Sequence, residues 1–379
     1  VPASDADAAV FARLIAKAEE ASERGDWASA AHGWTAASAL AERADRPALE
    51  GQLLATAGEA FRRADRPTDA LNALEMAMAR GHADARTRTA LSAVLASMAR
   101  PAAALAAARA AGDHVLARDA VAGVLLATGT RTELERAWRA IDSPLAATFR
   151  RAQWLRLSGR LDEAREALVE LERDADVAAA GRGGIRLERA EIDALQGDLA
   201  AAVEVFEAAA HDQESAGRMA LVWAVTAAHG RCLLDAGLDV AFPLDQGIAW
   251  ADERGLAVLA WDLELVRARA QGNSRVLAAL HDRASAAGLI RRAGRASLAR
   301  AEHAAGPMRL VYLTTARNEL AEDLPLTWRV ATAHAEALAE LDPEAGARAA
   351  RQVVTAVERA GMRPEHDRLV ALEGACSKR

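Results

Sequence analysis

An all-α fold built from repeated helical hairpins follows from three features of this 379-residue sequence. Ala dominates the composition, Leu and Arg follow, and runs of Val, Ile and Thr are almost absent. Such chains lose little entropy on entering a helix. Apolar residues recur at helical spacing in paired stretches separated by short turns. The pairs themselves recur roughly every 30–40 residues, the period of helical-hairpin arrays.

The clearest pair is LLATAGEAFRRADRPTDALNALEMAMARG, residues 53–81. Leu54, Ala57, Gly58 and Phe61 share one helical face, and a turn is expected at Asp65-Arg66-Pro67. Ala70, Leu74 and Ala77 then form a second face, with small residues where the helices cross. Upstream, Leu14, Ala18 and Ala21 precede Trp27, Ala30, Trp34 and Ala37 in the same phase. Downstream come Leu91, Leu95, Ala104, Ala108 and Ala111, then Val121, Ala122, Leu125, Leu134, Trp138 and Ile141. Leu155, Leu161, Ala164, Leu168 and Leu171 continue the series, and Leu199, Ala202, Phe206 and Ala209 close a sixth unit near residue 213. Beyond it the phase loosens. Gly230, Leu233, Phe242 and Ala249 fit a stretched unit, Leu277 and Ala284 a weak one. Residues 288–322 fit a generic hairpin around Gly306-Pro307, and Ala350, Val354 and Val357 recover the pattern.

This order of large, small and aromatic positions resembles the tetratricopeptide repeat. Gly58 and Ala70 meet the family's interval between the two helices, and Ala70 to Ala104 gives its 34-residue period. The resemblance implies a right-handed α-solenoid of about ten stacked hairpins. In such arrays each hairpin buries too little alone, and stacking completes the core. One continuous array is expected in three stretches: 1–176, then stretched repeats over 177–254, then divergent helical repeats over 255–379. A hinge is expected at ERDADVAAAGRGG (172–184), because Gly181, Gly183 and Gly184 weaken a helix passing through. The string RADRP occurs at 43–47 and again at 63–67. Its spacing does not match the period, so it reads as helix punctuation: Pro suits a first helical turn, and Asp45 and Asp65 would support the turn or cap the helix start.

Charge and motifs exclude several classes. The formal net charge is −7, which argues against a nucleic-acid or anionic-membrane partner. No apolar run approaches the roughly 20 residues of a membrane span. Only Lys17 and Lys378 are lysines, as in a GC-rich bacterial genome, and no Walker-type loop is present. The nine histidines are scattered without metal-ligand spacing. Cys232 reads as a small buried residue and Cys376 as a free thiol, with no disulfide framework. Carboxylates sit in Glu/Arg patterns typical of solvated helix faces. No catalytic residue, cofactor or metal is therefore expected. A cytoplasmic location is expected, and a start without Met leaves room for a processed, exported chain.

In the resembling family the first helix of each hairpin lines the concave face, where partners bind. Carried over by position, the candidate partner contacts are Glu19, Glu23, Glu59, Arg62, Arg63, Gln153, Arg156 and Glu191. The Lys and Asn that grip a chaperone's terminal carboxylate in some members are missing, so no such clamp is expected. Arg291, Arg292 and Arg295 share one side of a helix and form a candidate patch for an anion or acidic partner. An Arg-rich solvated face is the plainer alternative. The leading expectation is a non-enzymatic scaffold that binds a protein or peptide in the groove. The alternatives are a signal-sensing region of a larger bacterial kinase, protease or transcription regulator, and a nucleic-acid-binding solenoid.

Overall fold

The computed structural model describes residues 5–174, 177 and 179–376. Lys378 and the side chain of Cys376 lie outside the described residues, as do positions 175, 176 and 178 of the expected hinge. The described residues form twenty-one α-helices and no strand. They fall into two compact units, one comprising 1–124, 214–221 and 245–260, the other 125–213, 222–244 and 261–379.

The first unit opens with three antiparallel hairpins. These are α1 (Asp5–Glu23) with α2 (Trp27–Arg43), α3 (Pro47–Arg63) with α4 (Pro67–Ala79), and α5 (Ala85–Ser97) with α6 (Pro101–Ala110). The phase-matched alanines lie at their crossings: Ala30, Ala57, Ala70 and Ala104 are fully buried. Leu74, Phe61, Leu91 and Val94 fill the space the alanines leave, and Trp27 and Trp34 pack on the edge of that core. Gly58 lets α3 and α4 close: a Cβ there would lie 2.6 Å from Leu74 Cγ.

The turns decide between the two roles expected of Asp45 and Asp65. Asp45 and Asp65 do not cap the helices that follow them; α3 and α4 begin after Arg46 and Arg66 with no side-chain cap, and Pro47 and Pro67 stand in their first turn. Instead each Asp ends the preceding helix with φ of 54° and 55°. Asp45 N–H reaches the Glu42 carbonyl and Arg46 N–H the Ala41 carbonyl, the paired bonds of a Schellman stop. Elsewhere glycine fills that left-handed place, as at Gly81, Gly159 and Gly237.

The second unit continues the hairpins. It holds the end of α7 (Val115–Thr128), α8 (Arg131–Arg139), α9 (Pro144–Leu157), α10 (Leu161–Arg173), α11 (Ala179–Leu195), and α12 (Leu199–Ser215) to residue 213. Most of α13 (Met219–Asp235) and α15 (Ala257–Ala270) belong to it, whereas α14 (Leu244–Arg254) belongs almost wholly to the first unit. Then follow α16 (Ser274–Ala286), α17 (Ile290–Glu302), α18 (Gly306–Glu319), α19 (Leu324–Leu341), α20 (Pro343–Arg359) and α21 (Arg363–Cys376). Gly181, Gly183 and Gly184, the glycines of the expected hinge, all lie inside α11. Gly183 has a packing reason: the Gln213 side chain of α12 occupies the place of its Cβ.

Neighbour stacking does not account for all of this unit's core. Leu155, Leu161, Ala164 and Leu168 share one apolar cluster with Ala335, Ala350, Val357 and Leu369. Helices α9 and α10 thus pack with α19, α20 and α21. The Gly159 turn sits against the ring of Trp328, and Gly197 against Pro364. Arg131 N–H donates to Glu322 at 2.8 Å, and the Trp154 indole donates to the Arg131 carbonyl at 3.1 Å.

Candidate functional site

Within the second unit, α9, α11, α13, α15, α17 and α19 line a cavity that opens in part to solvent. All six are the first helices of their hairpins, the ones the resemblance assigns to a concave face. Helical period explains which side chains reach it. On α13 the pair Arg231 and Asp235 (i, i+4) point in on either side of Cys232. On α17 Arg295, Ala299 and Glu302 follow at i, i+4 and i+7. Glu191, Ala194 and Leu195 come from α11, Leu265, Val266 and Arg269 from α15, and Leu326 and Arg329 from α19. Phe206 of α12 and Arg156 of α9 complete much of the wall.

The result is an apolar chamber carrying five arginines and four carboxylates. Most of these charges pair between helices far apart in sequence. Arg269 reaches Asp235 at 2.7 Å and Glu302 at 2.6 Å. Arg329 pairs with the same Asp235 and with buried Glu365 at 2.8 Å. Arg231 reaches Glu191 at 3.0 Å, and Arg156 reaches Glu188 at 3.0 Å and Glu191 at 3.9 Å. Pairing of this kind offsets the desolvation that isolated buried charges suffer.

The protonation equilibria follow the same geometry. Burial alone would push the Asp235 carboxyl up, but Arg329 and Arg269 outweigh it and hold the group down at about 2. Glu191 is likewise penalised by burial yet held low by Arg156, Arg231 and Arg295. Burial, with Asp235 nearby, pushes the Cys232 thiol up to about 12. Arg295 behaves in the opposite way to its paired neighbours: burial and then Arg231 disfavour its charged form.

The predicted site residues separate into groups. Gln153, Arg156 and Glu191 come together through Glu188: the Gln153 amide donates to it at 2.7 Å and Arg156 at 3.0 Å. Gln153 and Arg156 are buried in this network, 4% and 7% exposed, whereas the expectation placed them on an open groove. In the first unit Glu59, Arg62 and Arg63 meet on α3, the Glu59 carboxylate accepting from Arg62 at 2.7 Å and from Arg63 at 2.8 Å. Arg63 also lies over the Trp27 ring at 4.5 Å. Glu19 and Glu23 stand exposed on α1.

The arginines of α17 do not act as one patch. Arg291 donates to the carbonyls of Leu125, Leu126 and Gly129 (2.6 Å for the last), satisfying the end of α7. Arg292 pairs with Asp262 at 2.9 Å. Arg295 alone turns into the cavity. Sequence reasoning missed Arg231, Asp235, Arg269, Glu302, Asp323 and Arg329. Their one local signal is a charge on the inward face of each first helix, as in RCLLD and RASLARAE. Among the described residues no group of three or more His, Cys, Asp or Glu could hold a metal ion. No helix there is long and apolar enough to cross a membrane.

Neither a protein-family model nor a curated protein matches the sequence. Three solved structures are similar to it at the level of helical repeats. One is Naa15/Naa10 bound to HypK-THB, at 13% identity over 96% of this chain and 68% of that one, with a TM-score of 0.28. Another is the TPR domain of P58(IPK), at 15% identity over 87% of this chain and 100% of that one, with a TM-score of 0.23. The third is a circular tandem repeat protein with novel repeat topology, at 13% identity over 97% and 94%, with a TM-score of 0.17. The neighbours include a tetratricopeptide-repeat domain. At these identities and scores they carry no argument, and the chemistry of the site rests on this chain's own residues.

Proposed function

We propose that this chain is a non-enzymatic protein-interaction scaffold, and that a partner protein docks on the α1–α3 face of the first unit. The observation that supports this is the ordering of two half-exposed arginines. Glu59 holds Arg62 and Arg63 in place, and the Trp27 ring backs Arg63. Arg218, of the same unit, has its charge disfavoured by burial and by Arg62 and Arg63, so the cluster gains from a further carboxylate. Pre-ordered Arg beside Trp is the composition of binding hot spots, because little side-chain entropy remains to be lost.

The test is reconstitution with purified components. A partner cross-linked to the chain in its host is purified and titrated against wild type and the Arg62→Ala/Arg63→Ala variant. Affinity weakened tenfold or more, with a strong dependence on salt, supports this face. Affinity unchanged by the double substitution rejects it.

A signal-sensing role is the second reading, and the charged chamber of the other unit favours it. A nucleic-acid role finds less support, since Arg291 and Arg292 are engaged inside the fold.

A further inference from the structure

We propose that the cavity of the second unit binds a small organic monocarboxylate with an apolar body, and that Arg295 receives its carboxylate. This goes beyond the scaffold reading and is independent of it.

The case begins with what each charge is already doing. Arg156, Arg231, Arg269 and Arg329 each reach a carboxylate within 3.0 Å. Arg295 forms no hydrogen bond or ion pair among the described residues. Its opposite charges, Glu191, Asp323 and Asp262, attract it only through space, and each is otherwise committed. Glu191 holds Arg231, Asp262 holds Arg292, and Asp323 accepts from the Leu326 N–H at the start of α19. A guanidinium presents five donors in a planar fork. Leaving those donors half-desolvated and unmet is costly, and a carboxylate meets two of them at once.

Charge and lining then set the ligand class. Arg295 is the one lining arginine without a carboxylate partner among the described residues, so a single carboxylate meets it, and a second would face Glu191 and Asp323 uncompensated. The remaining wall is apolar, with Phe206, Val266, Leu298 and Leu326 around the chamber. Such surface gains nothing from a bare inorganic ion but does gain from burying a hydrocarbon or aromatic body.

Thermal unfolding and calorimetric titration of the full chain test this with phenylacetate and octanoate, their neutral amides, and inorganic phosphate. The expected result is a rise in Tm of several degrees with a carboxylate at millimolar concentration, and none with the matching amide. Arg295→Met should weaken that binding tenfold or more while leaving the ligand-free Tm equal or higher, because an unpaired charge has been removed. Arg295→Lys should retain part of the response. No shift with either carboxylate, a shift that survives in Arg295→Met, or an equal response to phosphate would each overturn the proposal. Partner binding through Arg62 and Arg63, measured separately, is not expected to change in Arg295→Met, so the two readings fail independently.

Discussion

The Asp65 carboxylate accepts a hydrogen bond at 3.0 Å from the backbone N–H of Ala220, 155 residues further along the chain and in the same compact unit. Asp65 also sits at a positive φ of 55°, where most L-residues are strained. The residue therefore stops one helix through its backbone and satisfies the first turn of another through its carboxylate. Asp45 has the same backbone conformation, and Ala99 has it at 58°.

Substituting glycine at these three turns should separate strain from side-chain function. Ala99→Gly relieves left-handed strain and loses only a methyl, so it should stabilise by about 1 kcal/mol after the entropy cost of glycine. Asp45→Gly should gain less, since Asp tolerates this region better than Ala. Asp65→Gly should gain nothing or destabilise, because the Ala220 N–H loses its acceptor. Unfolding midpoints in urea should rank in that order; a stabilised Asp65→Gly would contradict the role given to Ala220.

Acid should act on the second unit through Asp235. Its folded carboxyl is held at about 2, below the ordinary aspartate value of 3.8. A depressed acid stabilises fully above its unfolded pKa and loses that contribution as pH falls through the folded value. The contribution, on the order of 2 kcal/mol, should therefore be present at pH 6 and fade between about pH 4 and pH 2. Asp235→Asn should be destabilised relative to wild type at pH 6, with the difference shrinking toward pH 2. Calorimetric unfolding across that range measures it; a pH-independent difference would mean that Arg269 and Arg329 do not set the stability of this cluster.

Local periodicity made the hairpins legible because every crossing position repeats within one turn–helix unit. Ala30, Ala70, Ala104, Leu134, Ala164, Ala202, Leu277 and Ala350 were all placed by phase, and all are fully buried. Pairings across long sequence distances left no such trace. Arg329 with Asp235, or Leu161 in one core with Val357, joins segments whose own patterns look ordinary. The inward charges were misread for a related reason. An Arg or Glu on a helix looks the same whether it faces solvent or a partner on another helix, so Arg156 and Gln153 appeared as groove residues and are instead buried in a network. The turn aspartates stayed open in the sequence for another reason: a residue two before Pro can start one helix or stop the last, and only backbone φ tells which.

The shared core of α9, α10 and α19 can be tested at Gly159. This residue has a φ of +71° and faces the Trp328 ring, so Gly159→Ala adds both backbone strain and a clash. A cost of roughly 1–3 kcal/mol is expected, with a shift in tryptophan emission as Trp328 is displaced. Gly112→Ala, at φ +72° with nothing near its Cβ, shares the strain without the clash. It should cost less and leave the emission unchanged. Equal losses and unchanged emission in both would show that the Gly159–Trp328 contact contributes nothing.

Cys232 reports on the chamber itself. The side chain is 6% exposed, and burial raises its thiol to about 12, above the ordinary cysteine value of 9.0. At pH 8 this lowers the thiolate fraction about a thousandfold, and the greater nucleophilicity of a more basic thiolate recovers only part of that. Alkylation by iodoacetamide should be at least roughly fifty-fold slower in the native chain than in the denatured one, measured on the Cys232 peptide by mass spectrometry. Asp235→Asn removes the second-largest cause of the raised thiol, so it should speed native alkylation relative to wild type. Native and denatured rates within a few-fold of each other would mean that Cys232 is not buried against α11 and α12.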